Sequence, residues 1–145
     1  MELYDGSLNV NEITARWYDE IKDKNCGAFI TFVGIVRAEY GIEALSFDIY
    51  EPILQSWLSE WEQKAKSQNA YVKLAHAKGD VSVHTSSYVA AVISPKRKVA
   101  LKLINEFVED FKANAPIWKY DVVSGRRVYA ESRSQKLKGA GILAQ

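Results

Sequence analysis

Two lysines, Lys112 and Lys119, flank a proline–aromatic elbow, Pro116-Ile117-Trp118, in the run FKANAPIWK. Ammonium groups delivered to one place by two elements can bind an anion. Close cations also depress one another's pKa, which would give one lysine a neutral population able to act as a base. The same spacing equally suits two solvated surface lysines. Two further stretches bear on the choice. Ser94-Pro95-Lys96-Arg97 has the form of a helix start, with serine as N-cap and proline at the first position. Basic residues in a first turn oppose the helix dipole, so Lys96, Arg97 and Lys98 suit a site that an anion completes. Arg37 ends a long apolar run and would project from the edge of a sheet. Joined to Arg97, Lys112 and Lys119, it would make a cationic pocket. Lys112 falls on the flank of an apolar helical stripe, so its stem is expected to be partly buried.

The elements that must carry these groups are read from periodicity. Asn11 to Asp23 predicts a first helix, with Ile13, Trp17 and Ile21 four apart and an asparagine as N-cap. Gly27 to Arg37, GAFITFVGIVR, is nearly all apolar and predicts a strand buried on both faces. Leu45, Phe47 and Ile49 alternate with polar positions in a second strand, expected to pair with the first in a hairpin with Arg37 at its tip. Glu51-Pro52 opens a second helix whose apolar stripe is Ile53, Leu54, Trp57, Leu58, Trp61 and Ala65. Ala70 to His76 and Ser87 to Ile93 predict two strands joined through a polar loop containing Gly79-Asp80. Lys98 to Ala113 is the third helix, ended by Pro116, which disfavours helix at Ala115. Ile117 to Val123 and Arg127 to Ala130 predict a last pair of strands around Ser124-Gly125. The sum is an α+β plan, a mainly antiparallel sheet with three helices, in one domain over residues 1–130. Residues 131–145 lack periodicity and are expected to form a mobile tail.

Composition narrows the setting. The chain has 145 residues, 48% hydrophobic and 26% charged, enough for one proper core. No segment has the length of apolar sequence a membrane span needs. The start, MELYDGSLNV, lacks the pattern of a secretory signal, and the single cysteine, Cys26, suits a reducing cytoplasm. Cys26, His76 and His84 have no metal-like companions in sequence, and each is expected to be structural; no metal or cofactor is expected. Residues 1–95 are net acidic and residues 96–145 net basic, although the whole chain is only +1. That asymmetry points to an anionic partner for the C-terminal third, either a nucleic acid or a small phosphorylated molecule.

GAFITFVGIVR, then Tyr50-Glu51-Pro52, then ISPKRKVA (Ile93 to Ala100), then APIWK (Ala115 to Lys119) together resemble the catalytic, large subunit of molybdopterin synthase. The resemblance covers roughly Gly27 to Ala130. It implies an α/β hammerhead fold and a homodimer. Each catalytic subunit would bind a small ubiquitin-like sulfur-carrier subunit, giving a heterotetramer. The carrier's C-terminal thiocarboxylate would enter the catalytic subunit's pocket. Sulfur would pass twice to cyclic pyranopterin monophosphate, forming the molybdopterin dithiolene.

By the same resemblance Lys112 and Lys119 are the catalytic lysines. Arg37, Lys96 and Arg97 bind the substrate's phosphate, and Phe32 and Trp118 border the carrier's tail. Lys96 stands where the family usually has histidine. Arg133, or less closely Arg127, matches an arginine that reaches the partner protomer's pocket. The tail around Lys138-Gly139-Ala140-Gly141 resembles the carrier's glycine-ended terminus and would compete for its slot. The alternative from another class is a non-enzymatic module that binds nucleic acid through the basic third. The aromatics fall on core stripes rather than among exposed basic residues, so no nucleic-acid partner is expected. A third reading is an inactive homologue that only holds the carrier.

Overall fold

The computed structural model describes residues 1–129; Arg133 and the tail lie outside the described residues. In chain order the elements are β1 (Glu2–Asp5), α1 (Val10–Ile21), β2 (Ala28–Ile35), β3 (Ala44–Ile49) and α2 (Glu51–Lys66). They continue with β4 (Tyr71–Ser82), β5 (Ser86–Ser94), α3 (Arg97–Asn114), β6 (Ile117–Val123) and β7 (Arg126–Tyr129). The strands form one seven-stranded sheet in the order β2-β5-β4-β3-β6-β7, with β1 beside β4. All pairings are antiparallel except β1–β4. The expected α+β class holds.

β5 is the element buried on both faces, from Ser87 to Ser94. Tyr88, Ala90 and Val92 face one core, which includes Leu54, Leu58 and Trp61 of α2 and Ala100, Leu103 and Phe107 of α3. Val89, Ala91 and Ile93 face the other, with Ile13, Trp17 and Ile21 of α1. This is the period-two alternation of a strand between two helical layers. Each fully buried Leu or Phe contributes roughly 1.5–3 kcal/mol. The apolar run at 27–37 belongs elsewhere. β2 pairs only with β5, so it is an edge strand; Phe32 and Ile35 are 42% and 60% exposed, and the expected burial on both faces is not found.

The expected hairpin of β2 with β3 is also absent. β3 pairs with β4 and β6, and β5 and β4 lie between it and β2. Sequence proximity favours local pairing, but the β4–β5 hairpin, with a short turn at 83–85, captures β2 instead. Gly79-Asp80 does not form a loop. β4 runs on through it, pairing 71–76 with β5 and 79–82 with β3; Gly79 has φ +76, a left-handed conformation that glycine adopts without strain. β1 had no sequence expectation. Glu2 secures it: its carboxylate accepts hydrogen bonds from Arg16, Tyr4 and the Trp17 indole.

The helices differ from expectation mainly at their starts. Asn9 caps α1 by accepting from the Glu12 amide, 3.2 Å. Ile53 lies 40% exposed, outside the buried stripe of α2. At α3 the N-cap is Lys96, with no side-chain cap; Ser94 is the buried end of β5, and its hydroxyl donates to the Lys96 carbonyl. The close approach of Gly27 to Pro95 explains why. The Gly27 amide bonds the Pro95 carbonyl at 3.1 Å, and this pairing prolongs the sheet past Ser94. A side chain at Gly27 would meet that oxygen at 2.9 Å. At the other end α3 stops at Ala115 (ψ 139) before the buried Pro116, as Pro116 predicts. β6 has the expected bounds, and Ser124 and Gly125, both at positive φ, make the turn into β7.

Candidate active site

α3 ends, Pro116 turns the chain, and β6 returns beside it. That geometry brings Lys112, in the last turn of α3, and Lys119, on β6, to one cavity of about 300 Å³. Its other walls are Gly34 of β2, Leu45 and Phe47 of β3, His76 of β4, Ser87 and Tyr88 of β5, and Phe111, Ala115 and Ile117. The polarity is graded. Lys112 is exposed, Lys119 is half-buried, and His76 and Tyr88 are buried. Two ammonium groups sit above a largely apolar, aromatic floor. Such a site suits an anionic reactant whose reacting end lies deeper than its charge.

Sequence reasoning missed the floor. His76 and Tyr88 are cross-strand partners, ring centroids 5.8 Å apart. Phe47 and Phe111 pack on His76, at 5.0 and 5.7 Å. The His76 Nδ1 lies 2.7 Å from the Ala77 carbonyl oxygen, which can only accept, so Nδ1 carries the proton. Burial drives the His76 pKa down to about 4, against the opposing pull of that hydrogen bond, and the ring is neutral at pH 7. Burial pushes the Tyr88 phenol up, so it stays protonated. The signal in sequence was the placing of polar rings inside two apolar strands, but their meeting depends on a register the sequence does not print.

The remaining candidates are dispersed. Phe32 packs edge-on against Tyr88 at 5.8 Å and so backs the cavity wall. Trp118 lies on the opposite side of β6 from Lys119, as strand alternation requires. It lines a separate concavity with Asp48, Ile49, Tyr50 and Tyr120. Arg37 follows β2 and is exposed, paired with Glu39 at 3.1 Å. Lys96 and Arg97 are exposed at the head of α3. That head is about 24 Å from Lys112, at 1.5 Å of rise per residue. Arg127 is held by Asp48 at 2.9 Å and stacks on the Tyr120 ring. The expected four-cation pocket is thus not assembled within one chain.

A larger cavity, about 720 Å³, lies between the α1–β2 turn and the end of α2, lined by Lys24, Cys26, Glu62 and Tyr71 among others. It lies apart from the lysine pair, and size alone does not make it the reactive site. Among the described residues no cluster of His, Cys, Asp or Glu is placed to hold a metal, and no helix is long and apolar enough to cross a membrane.

The fold and the lysine pair define an α+β protein with a cation-lined cavity, and comparison with known proteins gives the particular kind. Residues 5–114 match the family model described as MoaE protein, a span that includes Lys112 and stops short of Lys119. The chain is 46% identical over 144 residues to the molybdopterin synthase catalytic subunit of Helicobacter pylori strain 26695, covering 99% of each. It is 27% identical to the corresponding subunit of Dictyostelium discoideum, over 85% of this chain and 78% of that one. The chain belongs to the MoaE family, the molybdopterin synthase catalytic subunits. A solved complex of subunits 1 and 2 of the molybdopterin-converting factor of Helicobacter pylori 26695 contains a chain that superposes with a TM-score of 0.92. That match has 46% identity and covers 98% of this chain and 97% of that one. Molybdopterin synthase from Staphylococcus aureus shares the fold, with a TM-score of 0.75 at 22% identity over 88% and 94% of the two chains.

Proposed function

We propose that this chain, a sulfurtransferase of molybdenum cofactor biosynthesis, transfers sulfur from the thiocarboxylated C-terminus of a small carrier subunit to cyclic pyranopterin monophosphate. The observation that carries this reading is the convergence of Lys112 and Lys119 on one narrow cavity. The carrier's glycine-ended tail is slender enough to enter it. Sulfur arrives on the partner protein, so this chain need not supply a reactive cysteine. The thiocarboxylate sulfur bonds to a side-chain carbon of the pterin substrate as a C–O bond at that carbon breaks. The oxygen leaves with the opened phosphate ester or, protonated, as water, and an acyl thioester results. Water then adds to the acyl carbon and the acyl C–S bond breaks. The electron pair stays with sulfur on the product, the carrier leaves as a carboxylate, and the protons released pass to solvent. Lys119 contacts the acyl group or the pterin and favours the developing negative charge. Lys112 moves protons during sulfur addition and the opening of the cyclic phosphate. Phe32 supports the tail's pocket through Tyr88, while Trp118, across β6, can affect the tail only through Lys119's backbone. The setting is the cytoplasm, with the small subunit as partner.

The remaining substrate-binding residues fit a homodimer within a heterotetramer. Lys96 and Arg97 are too far from Lys112 along α3 to share its ligand, so they would serve the cavity of a second copy, supplying the phosphate's cations from outside. Three successive cations with no acidic residue in the first turn make that helix head suited to an anion. Arg37, which follows β2, would exchange Glu39 for the phosphate. Arg133 is assigned the same task from the partner copy. Lys96 stands where the family usually has histidine and would offer the phosphate an ammonium group in place of an imidazole.

The test is to mix the chain with thiocarboxylated carrier and cyclic pyranopterin monophosphate and assay dithiolene. Formation that is lost in Lys112→Ala and Lys119→Ala, with carrier binding retained, is the expected result. Normal turnover in both variants would overturn the assignment.

A further inference from the structure

Tyr88 is 6% exposed, and among the described residues its hydroxyl has no hydrogen-bond partner although the oxygen is buried. An unsatisfied buried hydroxyl costs about 1–3 kcal/mol. Packing does not demand it. The ring contacts that hold Tyr88 in place, with Phe32, His76 and Phe111, would serve a phenylalanine as well. An orphaned polar group kept in a wall built mainly of apolar and aromatic side chains therefore points to a ligand atom. Burial keeps the phenol protonated, so it offers a donor and the ligand atom must be an acceptor.

The neighbours narrow the acceptor. The His76 Nδ1 is committed to the Ala77 carbonyl, and the ring carries no charge at pH 7. Among the described residues the only ionic groups lining the cavity are Lys112 and Lys119, both less buried than Tyr88. A bulky phosphorylated pterin, its phosphate held by cations from outside the cavity, stops at those two lysines. A side-chain-free glycine tail can carry one oxygen past them to the floor. Resting on the sulfur-transfer reading above, we propose that the Tyr88 hydroxyl donates to the acyl oxygen of the carrier's C-terminal thiocarboxylate. The hard oxygen takes the O–H, which leaves the softer sulfur turned towards the pterin. When water adds to the thioester, the acyl oxygen gains charge and the same donor tightens on it, in the manner of an oxyanion hole. As the C–S bond breaks, the carbonyl re-forms and the carrier departs as carboxylate.

Tyr88→Phe removes one oxygen and leaves the ring. The expected result is an unchanged or higher melting temperature for the chain alone. Single-turnover dithiolene formation should fall about tenfold or more, in line with loss of one oxyanion donor. Affinity for the carrier bearing an ordinary C-terminal carboxylate, measured by calorimetry, should fall several-fold, with affinity for the pterin substrate unchanged. Turnover and carrier affinity both within twofold of wild type would overturn the inference, and so would a loss confined to pterin affinity. The broader reading is judged separately, since it fails only if the wild-type chain itself makes no dithiolene. In that case the carrier-affinity comparison still decides the role of Tyr88.

Discussion

Asp110 of α3 accepts a hydrogen bond from the indole nitrogen of Trp61 on α2, at 2.7 Å, and its same oxygen accepts a second from Trp57 at 2.9 Å. Its other oxygen takes the Asn114 amide at 2.6 Å. One carboxylate thus clamps the last turns of α3 to α2, two residues before Lys112. The lysine's position is set by a contact outside the cavity.

Replacing Asp110 with alanine leaves two indole N–H groups without their acceptor. Hydrogen bonds to charged groups contribute roughly 1.5–3 kcal/mol each. We expect Asp110→Ala to lower stability by about 2–3 kcal/mol in urea unfolding and to reduce turnover without weakening carrier binding. Asp110→Asn, which retains one acceptor oxygen, should recover much of both.

Lys112→Ala and Lys119→Ala should each lower dithiolene formation by roughly 10²–10⁴, the usual worth of a positioned proton-transfer group. Stability should hardly change for Lys112, which is exposed. Rapid-quench assay of product, alongside calorimetry with the carrier, separates a lost chemical step from lost binding.

Acid should weaken the fold in two separate windows. His76 has a folded pKa of about 4, below its value of 6.5 when unfolded. The unfolded chain therefore takes up the proton first, and this contribution is complete above pH 6.5 and lost as pH falls towards 4. Its size reaches about 3 kcal/mol. Glu2 differs. Burial alone would raise its pKa, but hydrogen bonds from Arg16, Tyr4 and Trp17 outweigh that and hold it at about 2. Its contribution is present above pH 4.5 and disappears between there and pH 2. Unfolding free energy measured against pH should show the upper window removed in His76→Phe and the lower one removed in Glu2→Gln. A His76→Phe profile parallel to wild type between pH 6.5 and 4 would contradict the first assignment.

If the head of α3 serves a second copy, two inactive variants should complement one another. A chain carrying Lys112→Ala with Lys119→Ala, refolded with one carrying Lys96→Ala with Arg97→Ala, should regain about a quarter of wild-type activity through mixed dimers formed at random. Activity that stays at the level of the separate variants would mean that Lys96 and Arg97 do not serve the cavity of a second copy.

The lysine pair was legible because what brings its two members together is local: a helix stripe, a proline that stops it, and a strand that follows. β6 and the turn at Ser124-Gly125 were readable for the same reason. The edge position of β2 was not. An apolar β-branched run looks alike in the middle of a sheet and at its margin, and only the capture of β2 by β5 decides between them. Gly79-Asp80 has the composition of a turn, yet the pairing of β3 with 79–82 holds it extended. Tyr88 and His76 lie twelve residues apart in sequence and meet only through the β4–β5 register. The meeting of these two rings on the cavity's floor is a tertiary fact, and a motif search passes over it.

β4 pairs with β5 along its first half, with β3 along its second, and with β1 beside the join. Its inner residues also serve both cores, Val72 and Leu74 on one side and Ala75, Ala77 and Val81 on the other. No seam therefore divides the molecule into parts that can melt alone. The amides of 72–81 should exchange with solvent only through global opening, so the free energy read at any of them is that of the whole molecule. A destabilising change beneath α1 would then be felt at the lysines across the sheet as a smaller folded fraction, with the geometry of the surviving sites unaltered.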